Sequence, residues 1–396
     1  MVESRWGILA VLTFARSAMA FQFQTVAALS VPLLAGFHLS YAGFGTLVGI
    51  YLFPGVVVAL PGGLIAQRFG DKKVVCAGLA AMALGGALMA LAKSTTLLGT
   101  GRILSGCGAV FLNVLVTKMV TDWFQEKEIV TALGVLIASW PLGIALALIA
   151  LPPLAAASSW QTGMWSASLV TAVGLALLLL TYQTPPKGSR AGAKRLRFDL
   201  SHRELALSIL SGLIWTFYNM GLIVLLTFGP AWLVSVGQDP EKASALVSIV
   251  GWILIPATPI GAVIAERLRQ PVLITSCCLV IAALGIWALP SIGASVVLLA
   301  AIAIVFGLPG GLIMTLPGQA APQERRALVM GVYFTCYYLG MGVVPALAGL
   351  ARDATHSAAA PIYVAGAMLV LAFVILLLFR LVLLRSARQD LKRSEE

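Results

Sequence analysis

The chain has 396 residues, of which 60% are apolar and only 10% are charged. Soluble domains carry roughly a quarter charged residues, so this composition excludes an ordinary water-soluble fold. The formal net charge of +11 would suit a nucleic-acid partner, but the positions of the basic residues along the chain decide what this charge means.

About twelve apolar stretches are each long enough to cross a hydrocarbon core about 30 Å thick. Backbone groups in lipid must bond one another, so long runs without alternation predict helices rather than barrel strands. The predicted helices cover residues 6–35, 41–66, 73–93, 97–120, 129–153, 161–183, 205–236, 243–265, 271–292, 294–318, 327–351 and 358–384. The sequence thus predicts an all-α integral membrane protein.

Residues 185–204 form the only long polar stretch, and they divide the predicted helices into six and six. We therefore predict an N-terminal six-helix bundle over 1–184, a linker over 185–204, and a C-terminal six-helix bundle with a basic tail over 205–396. The other loops are mostly shorter than about ten residues and leave no room for a soluble catalytic domain.

Most of the 26 lysines and arginines fall in alternate loops and in the tails, on one side of the predicted membrane. The positive-inside rule then predicts that both termini lie in the cytoplasm, with the chain in a bacterial inner membrane. The excess of basic residues therefore indicates the orientation of the chain in the membrane, and no nucleic-acid partner is expected.

Two short charged islands occur twice in the chain. Residues 66–73 (AQRFGDKK) return as residues 265–271 (AERLRQP), and residues 125–128 (QEKE) return as 323–326 (QERR). Internal repetition of this kind is typical of membrane carriers, in which the substrate binds between the two repeats.

These features together resemble the major facilitator superfamily. Its loop motif between helices two and three is matched by Gly63, Arg68, Gly70, Lys72 and Lys73, with Gln67 in place of the usual Asp. Residues 101–109 (GRILSGCGA) are similar to the family's fourth-helix motif. Residues 117–128 and 215–219 look like the cyanate permease and nitrate or oxalate porter group. The exporter motif of helix five is degenerate around Trp140.

The loop motif suggests a latch that closes the cytoplasmic face. Gln67 could accept hydrogen bonds from free amides at a helix N-terminus, and Arg68 could pair with Asp122 or Glu126. The predicted cytoplasmic gate comprises Gly63, Gln67, Arg68, Gly70, Lys72, Lys73 and Asp122, with Glu266 and Arg267 from the second copy. The alternative is that these charges only anchor the loop on the positive side.

Arg16 lies about ten residues into helix one, near the middle of the membrane. A charge there costs at least about 2.5 to 3.5 kcal/mol, and no carboxylate lies at that depth on the neighbouring helices. An anionic substrate could supply the missing charge; the alternative is a packing arginine bonded to carbonyls.

Residues of two further helices complete the predicted site. The resemblance implies that helices one, four, seven and ten line a central cavity, which would place Arg102 and Asn113 of helix four beside Arg16. For Arg102, a role in holding helix packing is the alternative. Trp215, Tyr218 and Asn219 form a stripe on helix seven that would suit a small planar anion, or that packs in the ordinary way.

The resulting hypothesis is a secondary transporter of a small organic or inorganic anion that works by alternating access, through antiport or proton-linked symport. Its partners would be the anion and the lipid bilayer, with no cofactor and no metal, and the chain would act as a monomer. The alternatives are efflux of weakly polar, drug-like molecules and a receptor that does not transport. An enzyme would need paired acids, a metal cluster or an activated nucleophile at one depth, and none is visible.

Overall fold

A computed structural model describes residues 5–124, 128–183, 200–322 and 325–395, with the backbone alone at 59–64, 67, 130, 327 and 386–395. Within these ranges the chain is helical and contains no β-strand, which confirms the predicted all-α class. The helices are α1 Arg5–Ala28, α2 Ser30–Gly36, α3 Tyr41–Gly49, α4 Gly55–Phe69, α5 Asp71–Ala90, α6 Thr95–Trp123, α7 Glu128–Ala157, α8 Trp160–Thr181, α9 His202–Ser235, α10 Pro240–Leu268, α11 Pro271–Ile292, α12 Val296–Gly307, α13 Gly310–Thr315, α14 Arg326–Thr355 and α15 Ala360–Glu395. We call α1–α8 the N-half and α9–α15 the C-half.

Eleven helical segments in the described ranges are long and apolar enough to cross a membrane. The second predicted crossing is not among them, because it is broken into α3 and α4 around Pro54. Proline lacks an amide hydrogen and removes a bond from the helix ladder, which accounts for a break at this point. The tenth crossing is likewise broken, between α12 and α13 at Pro309.

The predicted linker over 185–204 differs from the structure at its end. Residues 184–199 lie outside the described part of the chain, but α9 already begins at His202. Ser201 and Glu204 form a capping box, in which each side chain bonds the other residue's backbone amide and so fixes the start of the helix. At the other end, α15 continues beyond the predicted limit of residue 384.

Glycines let α5 and α6 pack with their backbones almost in contact. A Cβ atom added to Gly108 would lie 2.1 Å from the carbonyl oxygen of Gly78, and one added to Gly101 would lie 2.6 Å from that of Gly85. Small residues allow this close approach in membranes, where van der Waals contact rather than the hydrophobic effect holds helices together. The glycines of the fourth-helix motif therefore have a packing function.

Matching ion pairs join helix starts in the two halves. Arg5 at the start of α1 bonds Glu128 at the start of α7, with nitrogen and oxygen 2.6 Å apart. Glu204 near the start of α9 bonds Arg325 just before α14, at 2.7 Å. In each half, a residue of the repeated charged island, 125–128 or 323–326, is thus linked to the start of the first helix, with the acid and the base exchanged. We call the face that carries these pairs the termini side and the opposite face the far side.

The two halves meet closely toward the far side. A Cβ atom on Gly45 of α3 would lie 2.0 Å from the carbonyl oxygen of Pro345 in α14, and one on Gly49 would lie 2.3 Å from that of Gly342. Where α7 meets α10, a Cβ atom on Gly251 would lie 2.9 Å from the Cβ of Ala145. Glycine thus permits tight contact between the halves along two seams.

Candidate functional site

Three predicted site residues share one depth. Arg16 of α1, Asn113 of α6 and Trp215 of α9 each lie ten to thirteen residues from the termini-side end of their helix. At 1.5 Å per residue, this is roughly 15 to 20 Å from that end, near the middle of the membrane. Tyr338 of α14 lies at the same level, so both halves contribute to one layer.

Arg16 is half-buried and incompletely bonded. One terminal guanidinium nitrogen donates to the carbonyl oxygen of Leu136 in α7, at 2.7 Å. Its Nε is buried and has no hydrogen-bond partner. In the described part of the chain no carboxylate forms an ion pair with it. Tyr337 and Tyr338 of α14, in the opposite half, lie within electrostatic reach of its charge.

Arg102 has a different environment, although it is also an arginine within a membrane helix. It is fully buried, and it donates from Nε to Leu47 O at 3.1 Å, from Nη1 to Gln22 O at 3.0 Å and from Nη2 to Phe23 O at 2.7 Å. Its guanidinium carbon lies 4.3 Å from the centre of the Tyr51 ring. Leu47 is in the last turn of α3, where the break leaves carbonyls without amide partners. This geometry supports the packing role that the sequence left as the alternative.

Asn113 connects the two halves directly. Its Nδ2 donates to the hydroxyl oxygen of Tyr338, at 3.1 Å. The polar residues of the predicted stripe, in contrast, bond within the C-half. The Tyr218 hydroxyl donates to Phe306 O at 2.8 Å, and the Asn219 side-chain amide donates to Trp215 O at 2.8 Å. Arg16 and Asn113 thus lie near tyrosines of α14, whereas Tyr218 and Asn219 have partners inside their own half.

Aromatic rings form a continuous surface in the C-half, which we call the aromatic wall: Trp215, Tyr333, Tyr337 and Tyr338. The Trp215 ring centre lies 6.2 Å from that of Tyr333 and 6.3 Å from that of Tyr337, and the Tyr337 and Tyr338 centres are 5.3 Å apart. Tyr333 and Tyr338 were not among the predicted site residues. Their spacing along α14, with tyrosines at 333, 337 and 338, is the signal that could have revealed them.

The predicted gate residues lie on the termini side. Gly63 and Gln67 fall where only the backbone is described. Arg68 is exposed, with its guanidinium carbon 5.5 Å from the centre of the Phe69 ring. Asp122 is bound by Lys118 at 3.2 Å, and Lys118 also pairs with Asp71. Glu126 lies outside the described residues.

The remaining gate residues support local structure or are solvent-exposed. Gly70 joins α4 to α5 with φ 89° and ψ 139°, a conformation that side-chain-bearing residues avoid. Lys72 donates to the carbonyl oxygens of Leu179 at 3.0 Å and Tyr182 at 2.7 Å, and so caps the end of α8. Lys73, Glu266 and Arg267 are exposed. Their part in a gate stays a prediction.

A second set of contacts between the halves lies on the far side, and the sequence did not indicate it. The Asp353 carboxylate of α14 accepts hydrogen bonds from the Tyr41 amide at 3.0 Å and the Ala42 amide at 2.8 Å, at the start of α3. Arg352 lies over the Tyr41 ring, with its guanidinium carbon 3.6 Å from the ring centre. We call this group the far-side latch: Tyr41, Ala42, Arg352 and Asp353.

A cavity of about 340 Å³ occupies the other far-side seam, between the end of α1, α2 and the adjoining ends of α7, α9 and α10. Its lining is mostly apolar and includes the carboxylates of Asp239 and Glu241, which would repel an anion. Across the described ranges, no group of three or more His, Cys, Asp and Glu side chains is arranged to hold a metal ion.

Comparison with known proteins agrees with this architecture. The family model described as Major Facilitator Superfamily matches residues 10–345. The chain is 23% identical to the inner membrane transport protein YajR of Escherichia coli over 353 residues, covering 86% of this chain and 76% of that protein. It is 25% identical to the hexuronate transporter of Bacillus subtilis, covering 78% of this chain and 79% of that protein. The crystal structure of a D-xylose-proton symporter superposes with a TM-score of 0.77 at 15% identity, covering 94% and 97% of the two chains.

The fold, the internal repeat and the family match agree, and the resemblance seen in the sequence is confirmed. Transport rather than enzymatic catalysis is the activity of this family, which excludes the enzyme alternative. The protein is a multi-pass membrane transporter that belongs to the major facilitator superfamily.

Proposed function

We propose that this protein carries a small, planar monoanion across the membrane by alternating access between its N-half and C-half, with Arg16 as the positive anchor. The difference between the two intramembrane arginines carries the proposal. The donors of Arg102 are occupied by carbonyls, whereas Arg16 has one carbonyl partner and a buried Nε without any. Since a charge at this depth costs at least about 2.5 to 3.5 kcal/mol, an anionic substrate is the partner that offsets it.

The surroundings of Arg16 favour a single negative charge on a flat molecule. A planar guanidinium binds carboxylate-like groups through paired hydrogen bonds and stacks well against other planar groups. The aromatic wall lies opposite, with Trp215 half-buried and stacked on Tyr333. The relative from Bacillus subtilis is named for hexuronate, a carboxylate, and this name is consistent with the proposal.

The proposal includes an orientation. Both termini lie in the cytoplasm of a bacterial inner membrane, so that the termini side is cytoplasmic and the far side faces outward. The lysines and arginines concentrated in the termini-side loops support this assignment. The cytoplasmic gate around Arg68 and Lys72 then acts on the side opposite the far-side latch, and a monomer is sufficient for the cycle.

Counterflow in proteoliposomes tests the assignment. Purified Arg16→Ala and Arg16→Lys variants are compared with Lys93→Ala, which removes one exposed positive charge from a loop between α5 and α6. Labelled nitrate, acetate, benzoate and glucuronate are the anions, and glucose is the neutral control. We expect at least one anion to exchange in the wild type, Arg16→Ala to abolish exchange and Lys93→Ala to preserve it. Full exchange by Arg16→Ala, or no exchange of any of these anions, would refute the proposal.

Efflux of a weakly polar, aromatic compound is the second candidate, and the half-buried Trp215 in the aromatic wall is the observation that favours it. A fluorescent hydrophobic probe bound to the purified protein separates the two functions. Displacement of the probe by benzoate and loss of that displacement in Arg16→Ala support an anion carrier. Probe binding that anions leave unchanged supports efflux. Anion binding without any counterflow would instead indicate a receptor.

A further inference from the structure

We infer that the hydroxyl groups of Tyr337 and Tyr338 complete the anion site from the C-half, by donating hydrogen bonds to a planar, aromatic carboxylate that Arg16 holds from the N-half. This inference rests on the proposed function and deepens it, because it assigns two binding residues and a class of substrate. Neither tyrosine belongs to the predicted stripe of Trp215, Tyr218 and Asn219, which lies on α9.

Position is the first support. Arg16 lies eleven residues into α1, and Tyr337 and Tyr338 lie eleven and twelve residues into α14. The bond between Asn113 and Tyr338 brings this part of α14 against the N-half, and the charge of Arg16 acts on both phenol groups. All three residues lie at the middle depth described above. An anion beside the guanidinium would therefore be close to both phenols.

The existing bonds of Tyr338 leave its hydrogen available. The Tyr338 oxygen accepts a hydrogen bond from Asn113 Nδ2, at 3.1 Å. A phenol can accept and donate at the same time, so its own hydrogen remains free for an acceptor. In the part of the chain that the structure describes, no acceptor takes it. Asn113 holds the oxygen in place and thereby orients the hydroxyl group.

Tyr337 offers a second donor. Only 9% of this residue is exposed, and its hydroxyl makes no hydrogen bond to any described residue. Unlike the hydroxyl of Tyr333, it is not among the fully buried polar atoms that lack a partner. The Tyr337 hydroxyl oxygen therefore keeps some accessible surface, although most of the residue is buried. Its ring is held by Trp215 and Tyr338, which limits its motion.

The chemistry matches a carboxylate. Hydrogen bonds from neutral donors to an anionic oxygen are shorter and stronger than those between neutral groups, especially where water is excluded. A carboxylate has two oxygens, so one could take the guanidinium hydrogens while the other takes the phenol hydrogens. The ring faces of Trp215 and Tyr337 provide apolar contact for a planar aromatic body.

This arrangement divides the site between the halves. Arg16 moves with the N-half and the phenols move with the C-half, so an anion that bonds both favours the state in which the halves approach at this depth. Ligands shift such an equilibrium only through their different affinity for the two states, and the phenols would supply that difference.

The test uses full-length protein and binding of radiolabelled benzoate, with Tyr337→Phe, Tyr338→Phe and the double variant. Each change keeps the ring and removes one oxygen. Tyr363→Phe is the matched control, because Tyr363 is exposed on α15, and its carbonyl rather than its side chain bonds Trp287. We expect each of the two site variants to raise the Kd for benzoate by roughly tenfold or more, as for loss of a hydrogen bond to a charged group. The control should bind as the wild type does.

Different outcomes would overturn the role of the two phenols and the proposed anion transport. Wild-type Kd values in both Phe variants, together with lost binding in Arg16→Ala, would overturn the phenol assignment alone. Failure of benzoate to bind a wild-type protein that exchanges nitrate or acetate would also overturn it. Undiminished benzoate binding by Arg16→Ala would overturn the proposed function.

Infrared spectroscopy of carboxyl-labelled benzoate bound to the wild type checks the hydrogen bonds without relying on affinity. Its carboxylate stretch should shift further from the aqueous value than in Tyr338→Phe. Equal stretches in the two proteins would contradict the inference.

Discussion

Replacing Asp353 by Asn should open the far side of the transporter. The Asp353 carboxylate bonds two amides at the start of α3, Tyr41 N and Ala42 N, while Ser40 of the same half caps the Gly43 amide. Asn presents one carbonyl oxygen, so it can keep only one of the two bonds, and it loses the negative charge that the helix N-terminus favours. Loss of the charge costs about 0.3 to 2 kcal/mol, and loss of a hydrogen bond costs about 0.5 to 1.5 kcal/mol.

Together these terms destabilise the closed far side by roughly 2 kcal/mol, which is a factor of about 30 in the equilibrium between closed and open states. Pulsed electron paramagnetic resonance measures the distance between two spin labels, one on each half. The labels are attached to cysteines introduced at Lys93 of the N-half and Lys242 of the C-half, in a protein from which the native cysteines have been removed. Asp353→Asn should enlarge the long-distance population.

Asp239→Asn is the matched control for this measurement. Asp239 also caps a helix, accepting from the amides of Glu241 and Lys242 at the start of α10, but it does so within its own half. Its replacement should weaken the local cap and leave the distance distribution unchanged. An unchanged distribution in Asp353→Asn, or the same shift in both variants, would refute the assignment of the far-side latch.

Three further predictions concern stability. Arg102→Met should lower the melting temperature of the detergent-solubilised protein, because it leaves carbonyls at the end of α3 without donors, at a cost of about 1 to 3 kcal/mol each. The Arg16→Met variant should melt at or above the wild-type temperature. Gly108→Ala should also lower the melting temperature, since the added Cβ would lie 2.1 Å from a backbone oxygen, but Gly134→Ala, with nothing within 4 Å, should not. Gly70→Ala should reduce the yield of folded protein by straining a backbone with φ 89°. An Arg102→Met protein as stable as the wild type, a similar loss in both glycine variants, or a normal yield of Gly70→Ala would each contradict the corresponding explanation.

The sequence predicted the helical type of the membrane segments, and eleven of the twelve predicted crossings appear as long apolar helical segments in the described ranges, because lipid leaves so few alternatives for the backbone. It did not predict which prolines break a helix. Pro54 and Pro309 mark breaks, whereas Pro141 and Pro256 lie inside continuous helices. A break is tolerated where another element bonds the freed backbone groups, as Arg102 does for the carbonyl of Leu47. That condition depends on tertiary contacts and cannot be read from one segment.

The candidate site was predictable to a similar extent. Counting residues was enough to place Arg16 at mid-depth, since helical rise is constant. The partners of Arg102 depend on the break in the second crossing, and the importance of Tyr338 depends on which face of α14 meets the N-half. The far-side latch joins Tyr41 to Asp353 across most of the chain. Such contacts between halves have no local sequence signal, because neither partner stands out within its own helix.

Under the proposed function, the unpaired charge of Arg16 also has a consequence for coupling. An empty carrier that passes through a closed intermediate must enclose an uncompensated cation, at a cost of several kcal/mol in a low-dielectric interior. A carrier loaded with a monoanion encloses a neutral pair and avoids most of this cost. The loaded form therefore changes state more readily than the empty form, which is the property that makes a carrier an exchanger. Since guanidinium and phenol groups keep their protons at ordinary pH, these residues give the central site no proton of its own to trade. The repeat supplies two halves that can rock, and Arg16 in only one of them makes the substrate the counterion for that movement.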